Sequence, residues 1–321
     1  MPDTPALLLV GGTGFVGGYF ASALEAAFPA HRRVLLSRES DEAIPRGWEV
    51  GKADLLDPQS VENLVAALRP QVVVHLAAQS HVVSDAEATW RVNFGGTFAL
   101  ASSVARHAPE GVFFFSSSGE VYGRSFKDGV ATEETVPRPQ NAYASSKLAA
   151  EGMLSDVLPA TKRLIVTRSF NHTGPGQDER FVLPTFAAQI ARIEAGQIPP
   201  VMRVGNLSAE RDFLHVADVV DAYVRLLTHP EPESRVLVNV SSGHAYRIEA
   251  LLELLRKASK RPFEVEIDPA RLRPSDIPRA VGDSARLMQL TGWAPKRPIE
   301  EILEELLEWW RGRLAHPTPQ A

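Results

Sequence analysis

The sequence contains no cysteine, which excludes disulfide bonds and thiolate metal sites. It has no apolar run long enough to span a membrane, and its first residues, MPDTPALLLVGG, lack a basic leader, so we expect neither a signal peptide nor a membrane partner. An excess of one charge is also missing, because 34 basic and 39 acidic residues leave a net charge of −5. The chain therefore lacks the excess of positive charge that is typical of proteins that bind nucleic acids. The absences together predict a cytoplasmic protein.

Short, continuous apolar runs are spread over the first half of the chain. Such runs are typical of parallel strands that are covered on both faces. The runs are Ala6–Val10, Arg33–Ser37, Val72–Ala77, Val112–Ser116 and Leu164–Arg168. Helical patterns separate them, including one face of Phe15, Val16, Tyr19, Phe20, Ala23 and Leu24. This alternation predicts an α/β fold with a doubly wound, Rossmann-like parallel sheet.

The strand–helix rhythm breaks after residue 168, where the Gly/Pro loop NHTGPGQ begins. We therefore predict a dinucleotide-binding domain over residues 1–168, with residues 213–240 returning to its sheet. Residues 169–212 and 241–315 are expected to form a smaller, mostly helical substrate-binding lobe. The last residues, 316–321, are expected to be a tail.

Glycines at Gly11, Gly14 and Gly17 follow the first predicted strand and open the first predicted helix. Glycine permits a tight turn and the close approach of a pyrophosphate, which then lies at the helix N-terminus. The spacing differs slightly from G-x-G-x-x-G, but the strand before it and the helix after it indicate a dinucleotide site.

The second predicted strand ends in Ser37 and Arg38 rather than in an acidic residue. An NAD-selective site usually places Asp or Glu there to bind the ribose 2′-hydroxyl, whereas a hydroxyl and a cation suit a 2′-phosphate. The sequence therefore favours NADP(H), with NAD(H) as the alternative.

Tyr143 and Lys147 lie four residues apart in a predicted helix, for which Asn141 is a plausible N-cap. Free tyrosine titrates near 10, which is too high for proton transfer at neutral pH. A fixed ammonium about 4 Å away contributes roughly 4 kcal/mol at an effective dielectric of about 20, or about three pKa units. We therefore expect Lys147 to lower the pKa of Tyr143.

These motifs, together with ADLLD, HLAAQSHV, VNFGGT and SSSGEVYG, occur in an order that resembles the extended short-chain dehydrogenases/reductases. The resemblance covers essentially the whole chain. It implies that Ser118 binds the reacting carbonyl, that Tyr143 is the general acid/base, that Lys147 grips the nicotinamide ribose, and that Asn93 supports the proton relay. It further implies cofactor contacts at Gly11, Gly14, Phe15, Val16, Gly17, Ser37, Arg38, Asp54, Leu55, Ala77, Ala78, Gln79, Tyr143, Lys147, Phe170 and His172.

The second half of the chain narrows the resemblance. The segments SFNHTGPGQ, VGNLSAERDFLHVADVVDAY, RLRPSDIPRAVGD and TGWAPKRPIEEILEELLEWWR look like GDP-4-keto-6-deoxy-D-mannose reductases, with GDP-mannose 4,6-dehydratases as close relatives. A GDP-sugar substrate is thus implied, and cationic side chains such as Arg211 suit its diphosphate. The expected substrate contacts are Asn171, Val182, Asn206, Arg211, Arg273 and Asp276.

Glu120 leaves the reaction open. A 4,6-dehydratase needs a base at C5, which the family supplies from this position, whereas a reductase needs only Ser118, Tyr143 and Lys147. Gly119 stands where dehydratases with a paired Asp-Glu carry the acid. We favour a reductase that uses NADPH to reduce the C4 ketone and gives GDP-D-rhamnose. A dehydratase with Glu120 as its base and a non-catalytic NAD(P)-binding regulator remain alternatives.

Two further expectations concern assembly and metals. In the family, the helices that hold Asp85–His107 and Asn141–Asp156 often form the four-helix bundle of a homodimer. The histidines at His75, His81, His172, His215 and His244 show no ligand spacing, so we expect no metal site.

Overall fold

The computed structural model describes residues 4–38, 44–80, 85–230, 233–272 and 277–315. Its strands are β1 (Ala6–Val10), β2 (Arg32–Ser37), β3 (Glu49–Lys52), β4 (Val72–His75), β5 (Gly111–Ser116), β6 (Lys162–Ser169), β7 (Asn171–Thr173), β8 (Val201–Val204), β9 (Glu210–Arg211), β10 (Phe213–His215), β11 (Arg235–Val240), β12 (Tyr246–Arg247), β13 (Glu264–Ile267) and β14 (Arg279–Ala280). Its α-helices are α1 (Phe15–Ala27), α2 (Pro58–Leu68), α3 (Ala86–Trp90), α4 (Thr97–His107), α5 (Ala142–Val157), α6 (Val182–Glu194), α7 (Val216–Thr228), α8 (Ile248–Ala258), α9 (Ala285–Thr291) and α10 (Ile299–Ala315).

Within the described residues, seven parallel strands form the central sheet in the order β3-β2-β1-β4-β5-β6-β11. The five predicted apolar runs coincide with β1, β2, β4, β5 and β6, so the Rossmann-like fold class is confirmed. Strand β3 was not predicted, because its sequence, EVGK, has a single buried residue and no apolar run. Strand β11 lies beside β6.

Side chains of the central strands pack on both faces of the sheet. Leu7 and Leu9 of β1 belong to a core with α1 and α7, whereas Leu8 and Val10 belong to a second core with α2 and α4. Because side chains alternate across a strand, a run that is apolar at every position has to be covered twice. This explains why the run ALLLV is continuous rather than alternating.

A third core holds the second half of the chain together. It is built mainly from α6, α8 and α10 and from Met202 and Val204 of β8, which pairs in parallel with the exposed strand β13. Arg311 of α10 donates to Glu194 of α6 at 2.6 Å, which joins the ends of two of these helices. None of the helices in the described part of the chain is both long and apolar enough to traverse a bilayer.

The order of the strands reverses between β1 and β4, and loops from the two strand ends meet there. Gly11 follows β1 with a φ of +88°, and a Cβ at this position would lie 2.6 Å from the backbone nitrogen of Ala77, which follows β4. In open α/β sheets the crevice at such a reversal is where ligands bind.

The helix that follows β4 is interrupted by a wider turn. Between α3 and α4 the backbone is π-helical over Arg91–Gly96, and Asn93 lies inside this turn. A π-helical turn inside an α-helix is frequent at functional sites. The turn brings the amide of Asn93 toward the strand ends, as described below.

Gly17 and Gly18, in the first turn and a half of α1, differ in the space around them. A Cβ on Gly17 would lie 2.3 Å from the carbonyl oxygen of Gly11, whereas a Cβ on Gly18 meets nothing within 4 Å. We expect Gly17→Ala to lower the free energy of unfolding by about 1–3 kcal/mol, as overpacking does. Gly18→Ala should leave it unchanged or raise it by up to about 1 kcal/mol.

Urea unfolding of both variants checks this expectation. Gly18→Ala is the matched control, since it makes the same change one residue further along the helix. Equal changes in the free energy of unfolding would contradict the close packing of Gly17 on the carbonyl of Gly11.

Candidate active site

The loop that contains Gly11, Gly14 and Gly17 forms the floor of the crevice. Gly14 donates its backbone N–H to the carbonyl of Gly11 at 3.2 Å and is the N-cap of α1, where it supplies no side-chain cap. The N–H groups of this first turn are therefore not capped by the side chain of the N-cap residue. This arrangement fits the pyrophosphate of the dinucleotide that the resemblance implies.

The predicted ribose and adenine contacts lie at the ends of β2 and β3. Ser37 accepts the N–H of Ala53 through its carbonyl, and Arg38 is exposed beside it. Asp54 accepts the N–H of Leu56 at 2.9 Å, so its carboxylate shapes its own turn. Leu55 packs beside Gly96 of the π-helical turn.

The residues that follow β4 are held by Asn93. Its Oδ1 accepts the N–H of Gln79 at 2.8 Å, and its Nδ2 donates to Ser146 Oγ on α5 at 3.1 Å. Asn93 thereby joins the segment of Ala77, Ala78 and Gln79 to the helix of Tyr143. Within the described residues, the buried Oε1 of Gln79 has no hydrogen-bond partner, which leaves a polar atom at this side of the crevice.

Helix α5 brings Tyr143 and Lys147 against the end of β5. Asn141 accepts the N–H of Ala144 at 2.7 Å, which confirms it as the N-cap. Lys147 Nζ donates to the carbonyl of Ser116 at 2.6 Å and lies 4.7 Å from the centre of the Phe115 ring. The side chain of Ser118 lies close enough to the Tyr143 hydroxyl to lower its pKa, so the structure brings the predicted serine, tyrosine and lysine together.

Burial dominates the protonation of this pair. The pKa of Tyr143 is raised above its ordinary value, first by burial and then by the charge of Glu120, while the hydrogen bond from Ser118 opposes the shift. This overturns the expectation that Lys147 lowers the pKa of Tyr143. The reason is that burial also lowers the pKa of Lys147, to about 7, with the charge of Glu151 opposing the shift.

Glu120 lies between the start of helix α5 and the guanidinium of Arg211. Its Oε2 accepts from Asn141 Nδ2 at 3.1 Å, and its charge acts on both Tyr143 and Arg211. Burial lowers the pKa of Arg211, and Glu120 raises it in return. The negative charge of Glu120 therefore acts on two other predicted site residues, Tyr143 and Arg211.

The loop after β6 closes the crevice from the opposite side. Phe170 packs so closely on Gly119 that a Cβ there would lie 3.0 Å from its ring. The ring of His172 stacks on Phe15 of α1, with centroids 6.2 Å apart and planes at 7°. Asn171 donates to the carbonyl of Asp212 at 3.2 Å, which ties this loop to β10.

The predicted substrate residues are spread over the second half of the chain. Val182 begins α6 and is partly exposed. Asn206 accepts from Ser208 and lines a cavity of about 550 Å³. The cavity is also lined by Gly205, Leu207, Ser208, Arg247, Glu249, Ile267 and Leu272. Arg273 and Asp276 lie outside the described residues.

Sequence reasoning missed two charged residues beneath the site. Glu151 lies one turn after Lys147 on α5, and Arg168 of β6 pairs with it at 2.7 Å. The i,i+4 spacing from Lys147 to Glu151 is visible in the sequence, but the pairing with a strand residue is not. In the part of the chain that the structure describes, no cluster of three or more His, Asp or Glu side chains could hold a metal ion.

The lowered pKa of Lys147 makes stability depend on pH. Between its folded-state pKa of about 7 and its ordinary value of 10.5, the unfolded chain binds more protons than the folded protein. This group therefore makes the free energy of unfolding rise with pH in that window, by up to about 1.4 kcal/mol per pH unit. We expect Lys147→Met to lose this rise.

Urea unfolding of both proteins at several pH values between about 6 and 10 measures the difference. Subtracting the two curves removes the titration of the other groups, which both proteins share. A difference that does not change with pH would show that Lys147 keeps its ordinary pKa when folded.

Comparison with known proteins supports a family assignment. Residues 8–306 match the family described as GDP-mannose 4,6 dehydratase. The chain is 37% identical to the GDP-6-deoxy-D-mannose reductase of Pseudomonas aeruginosa, over 97% of this chain and 99% of the relative. It is similar in structure to RMD from Pseudomonas aeruginosa complexed with NADPH, with a TM-score of 0.79, 36% identity, and coverage of 96% of this chain and 100% of the other. It is also similar to Thermus thermophilus UDP-glucose 4-epimerase in complex with NAD, with a TM-score of 0.83, 28% identity, and coverage of 96% and 99%. The chain therefore belongs to the GDP-mannose 4,6-dehydratase family.

Proposed function

We propose that this protein is a reductase that uses NADPH to reduce the C4 ketone of a GDP-4-keto-6-deoxy-hexose, giving GDP-D-rhamnose. The observation that carries the proposal is the convergence of Tyr143, Ser118 and the buried Lys147 at the end of β5. The likeness to the reductase of Pseudomonas aeruginosa supports the choice among the reactions of the family.

The crevice fits a dinucleotide along its length. The first turn of α1 would hold the pyrophosphate, the segment Ala77–Gln79 would line the middle, and Phe170 and His172 would flank the nicotinamide end. Ser37 and Arg38 would bind the 2′-phosphate, which makes NADP(H) the preferred cofactor and NAD(H) the alternative. When bound, NADPH supplies the hydride for the carbonyl carbon.

Reduction also needs a proton for the ketone oxygen, and Tyr143 would donate it. The pKa of Tyr143 is raised by burial and by Glu120, so the phenol carries a proton at neutral pH, although the raised pKa also makes it a weaker acid. Ser118 would hold the same oxygen through its hydroxyl. Lys147 would place positive charge beside the phenol, favouring the anion that proton donation leaves behind.

The second lobe would bind the nucleotide sugar. We propose that residues 169–212 and 241–315 form this lobe and that residues 1–168 and 213–240 form the cofactor domain. Arg211 is a half-buried cation beside Glu120 and would pair with the diphosphate. Asn171, Val182 and Asn206 are further proposed contacts, as are Arg273 and Asp276. We also place the reaction in the cytoplasm, as expected for a chain without cysteine.

Glu120 keeps the dehydratase as a second candidate, because a carboxylate lies beside Tyr143. Elimination of water also needs a proton donor for the leaving hydroxyl. At position 119 glycine supplies none, and the ring of Phe170 crowds the space that an acid would need. This arrangement counts against a dehydratase with a paired Asp-Glu, whereas the likeness to the reductase supports reduction over an elimination that needs only Glu120. A regulator without turnover has no such observation in its favour.

The test compares two substrates in parallel. With GDP-4-keto-6-deoxy-D-mannose, we expect NADPH oxidation, followed at its absorbance band, and a loss of about 10²–10⁴-fold in kcat/KM for Tyr143→Phe with NADPH binding retained. With GDP-mannose, we expect no ketosugar. Conversion of GDP-mannose that disappears in Glu120→Gln but persists in the exposed control Glu134→Gln would establish the dehydratase instead.

We further propose that the protein is a homodimer through a four-helix bundle of the α3–α4 segment and α5. The α3–α4 segment carries two large apolar side chains that are partly exposed, Trp90 at 39% and Phe98 at 48%. Exposed apolar patches of this kind mark interaction surfaces.

Phe98→Glu would place a charge in the centre of the proposed bundle, which is costly to bury. We expect this variant to sediment as a monomer at concentrations where the wild-type protein sediments as a dimer. A dimer of unchanged affinity would contradict this interface, and a wild-type monomer would contradict the dimer itself.

A further inference from the structure

Arg168 and Glu151 form an ion pair inside the protein, directly below the catalytic helix. Arg168 Nη2 donates to Glu151 Oε2 at 2.7 Å, and Arg168 Nε donates to Oε1 at 3.1 Å, so the pair is bidentate. The two side chains are only 6% and 10% exposed. This pair has no part in the proton transfer proposed above.

The pair connects the elements that carry Ser118, Tyr143 and Lys147. Glu151 lies on α5 one turn after Lys147, and its Oε1 accepts from Ser117 Oγ at 2.5 Å. Ser117 is the residue before Ser118. On the other side, the guanidinium of Arg168 lies 4.9 Å from the centre of the Tyr122 ring, at the end of the short 3-10 helix Gly119–Tyr122.

The cluster continues into the edge of the sheet. Tyr122 donates its hydroxyl to Asn239 Oδ1 on β11 at 2.7 Å. Helix α5, the end of β5, the 3-10 helix, β6 and β11 are therefore joined through one buried guanidinium. A shift of α5 against the serine loop would break several of these bonds at once.

Stability alone does not account for such a pair. Removing two charges from water costs several kcal/mol per ion, and well-packed apolar residues of similar volume often stabilise a protein as much or more. One nitrogen of the guanidinium, Nη1 of Arg168, is buried without a partner among the described residues, which adds to the cost. The pair is better explained by a role in positioning helix α5 and in supporting the charge of Lys147.

The charge of Glu151 acts on Lys147. Burial lowers the pKa of Lys147, and Glu151 provides the opposing charge. The titratable and charged groups around Lys147 are Tyr143 and Glu151 from α5, His75 from β4, Glu120 through Tyr143, Tyr223 from α7 through Ser116, and Arg168 through Glu151. Burial also lowers the pKa of His75, to about 3, so His75 is neutral near pH 7.

We propose that Glu151, held by Arg168 and Ser117, is a positioning residue that keeps Lys147 charged and locks the catalytic helix against the serine loop. The part that concerns catalysis rests on the function proposed above. Without the carboxylate, the ammonium would be buried with no anion to support it, and Lys147 would lose its proton at a lower pH. The proton-donating Tyr143 would then lose the neighbouring positive charge.

Two variants separate charge from packing. Glu151→Gln leaves Arg168 buried without its anion, so we expect a lower melting temperature. The double variant, Glu151→Gln with Arg168→Met, removes both charges and should recover most of that loss. Glu49→Gln, in the exposed pair with Arg32, is the matched control, because it also removes one carboxylate from a bidentate pair. It should change neither the pH dependence of unfolding nor the pH profile of kcat/KM.

The first readout uses the protein alone. We expect the pH at which the free energy of unfolding begins to rise through Lys147 to move down by about one unit or more in both variants. The second is the pH profile of kcat/KM, whose alkaline limb should move down by the same amount.

A pH dependence that stays unchanged in the double variant would overturn the proposal and leave the pair a packing element. A wild-type protein that reduces no ketosugar would instead refute the proposed function. In that case the unfolding measurement still decides whether Glu151 sets the charge of Lys147.

Discussion

Loss of water at the end of β5 is the constraint on which the rest of the site depends. Tyr143 and Lys147 are both buried there, and burial opposes the charged form of each. The phenol therefore holds its proton more tightly than in water, and the ammonium holds its proton less tightly. A carboxylate, Glu151, and a backbone carbonyl, that of Ser116, are the groups that support the ammonium in this setting.

The raised pKa of Tyr143 keeps the phenol protonated at neutral pH, which is the state from which a reduction starts. A protonated phenol beside a partly charged lysine is prepared to give a proton to a ketone oxygen, which is what the proposed reduction requires. An oxidation would begin by taking a proton from an alcohol, and a phenol with a raised pKa is poorly prepared for that. Glu120 strengthens the bias, because its charge raises the pKa of Tyr143 further. The same carboxylate that suggests a dehydratase in the sequence therefore also keeps Tyr143 in its protonated form.

Much of the fold could be predicted from local patterns, since continuous apolar runs mark buried parallel strands wherever they occur. The run VFFFS became β5, and the cap at Asn141 began α5 as expected. Strand β3 and the π-helical turn at Asn93 were not predictable in this way, because the first lacks an apolar run and the second has no sequence signal of its own. The direction of the pKa shift of Tyr143 was predicted wrongly for a related reason. Spacing shows that a lysine is near, but only the packed structure shows how little water reaches either group.

The contact between Gly119 and Phe170 shows how one cleft can be restricted to a narrower chemistry. A Cβ at Gly119 would lie 3.0 Å from the Phe170 ring, and a Cβ at Gly282 would lie 2.3 Å from the same ring. The ring thus fills the space beside the serine loop and needs two glycines to do so. A carboxylic acid at position 119 would require Phe170 to move, and Phe170 is buried against Tyr122 and Phe126 in a core of its own. An acid at position 119 would therefore have to displace the Phe170 ring, so packing behind the site limits which side chains can stand beside Ser118.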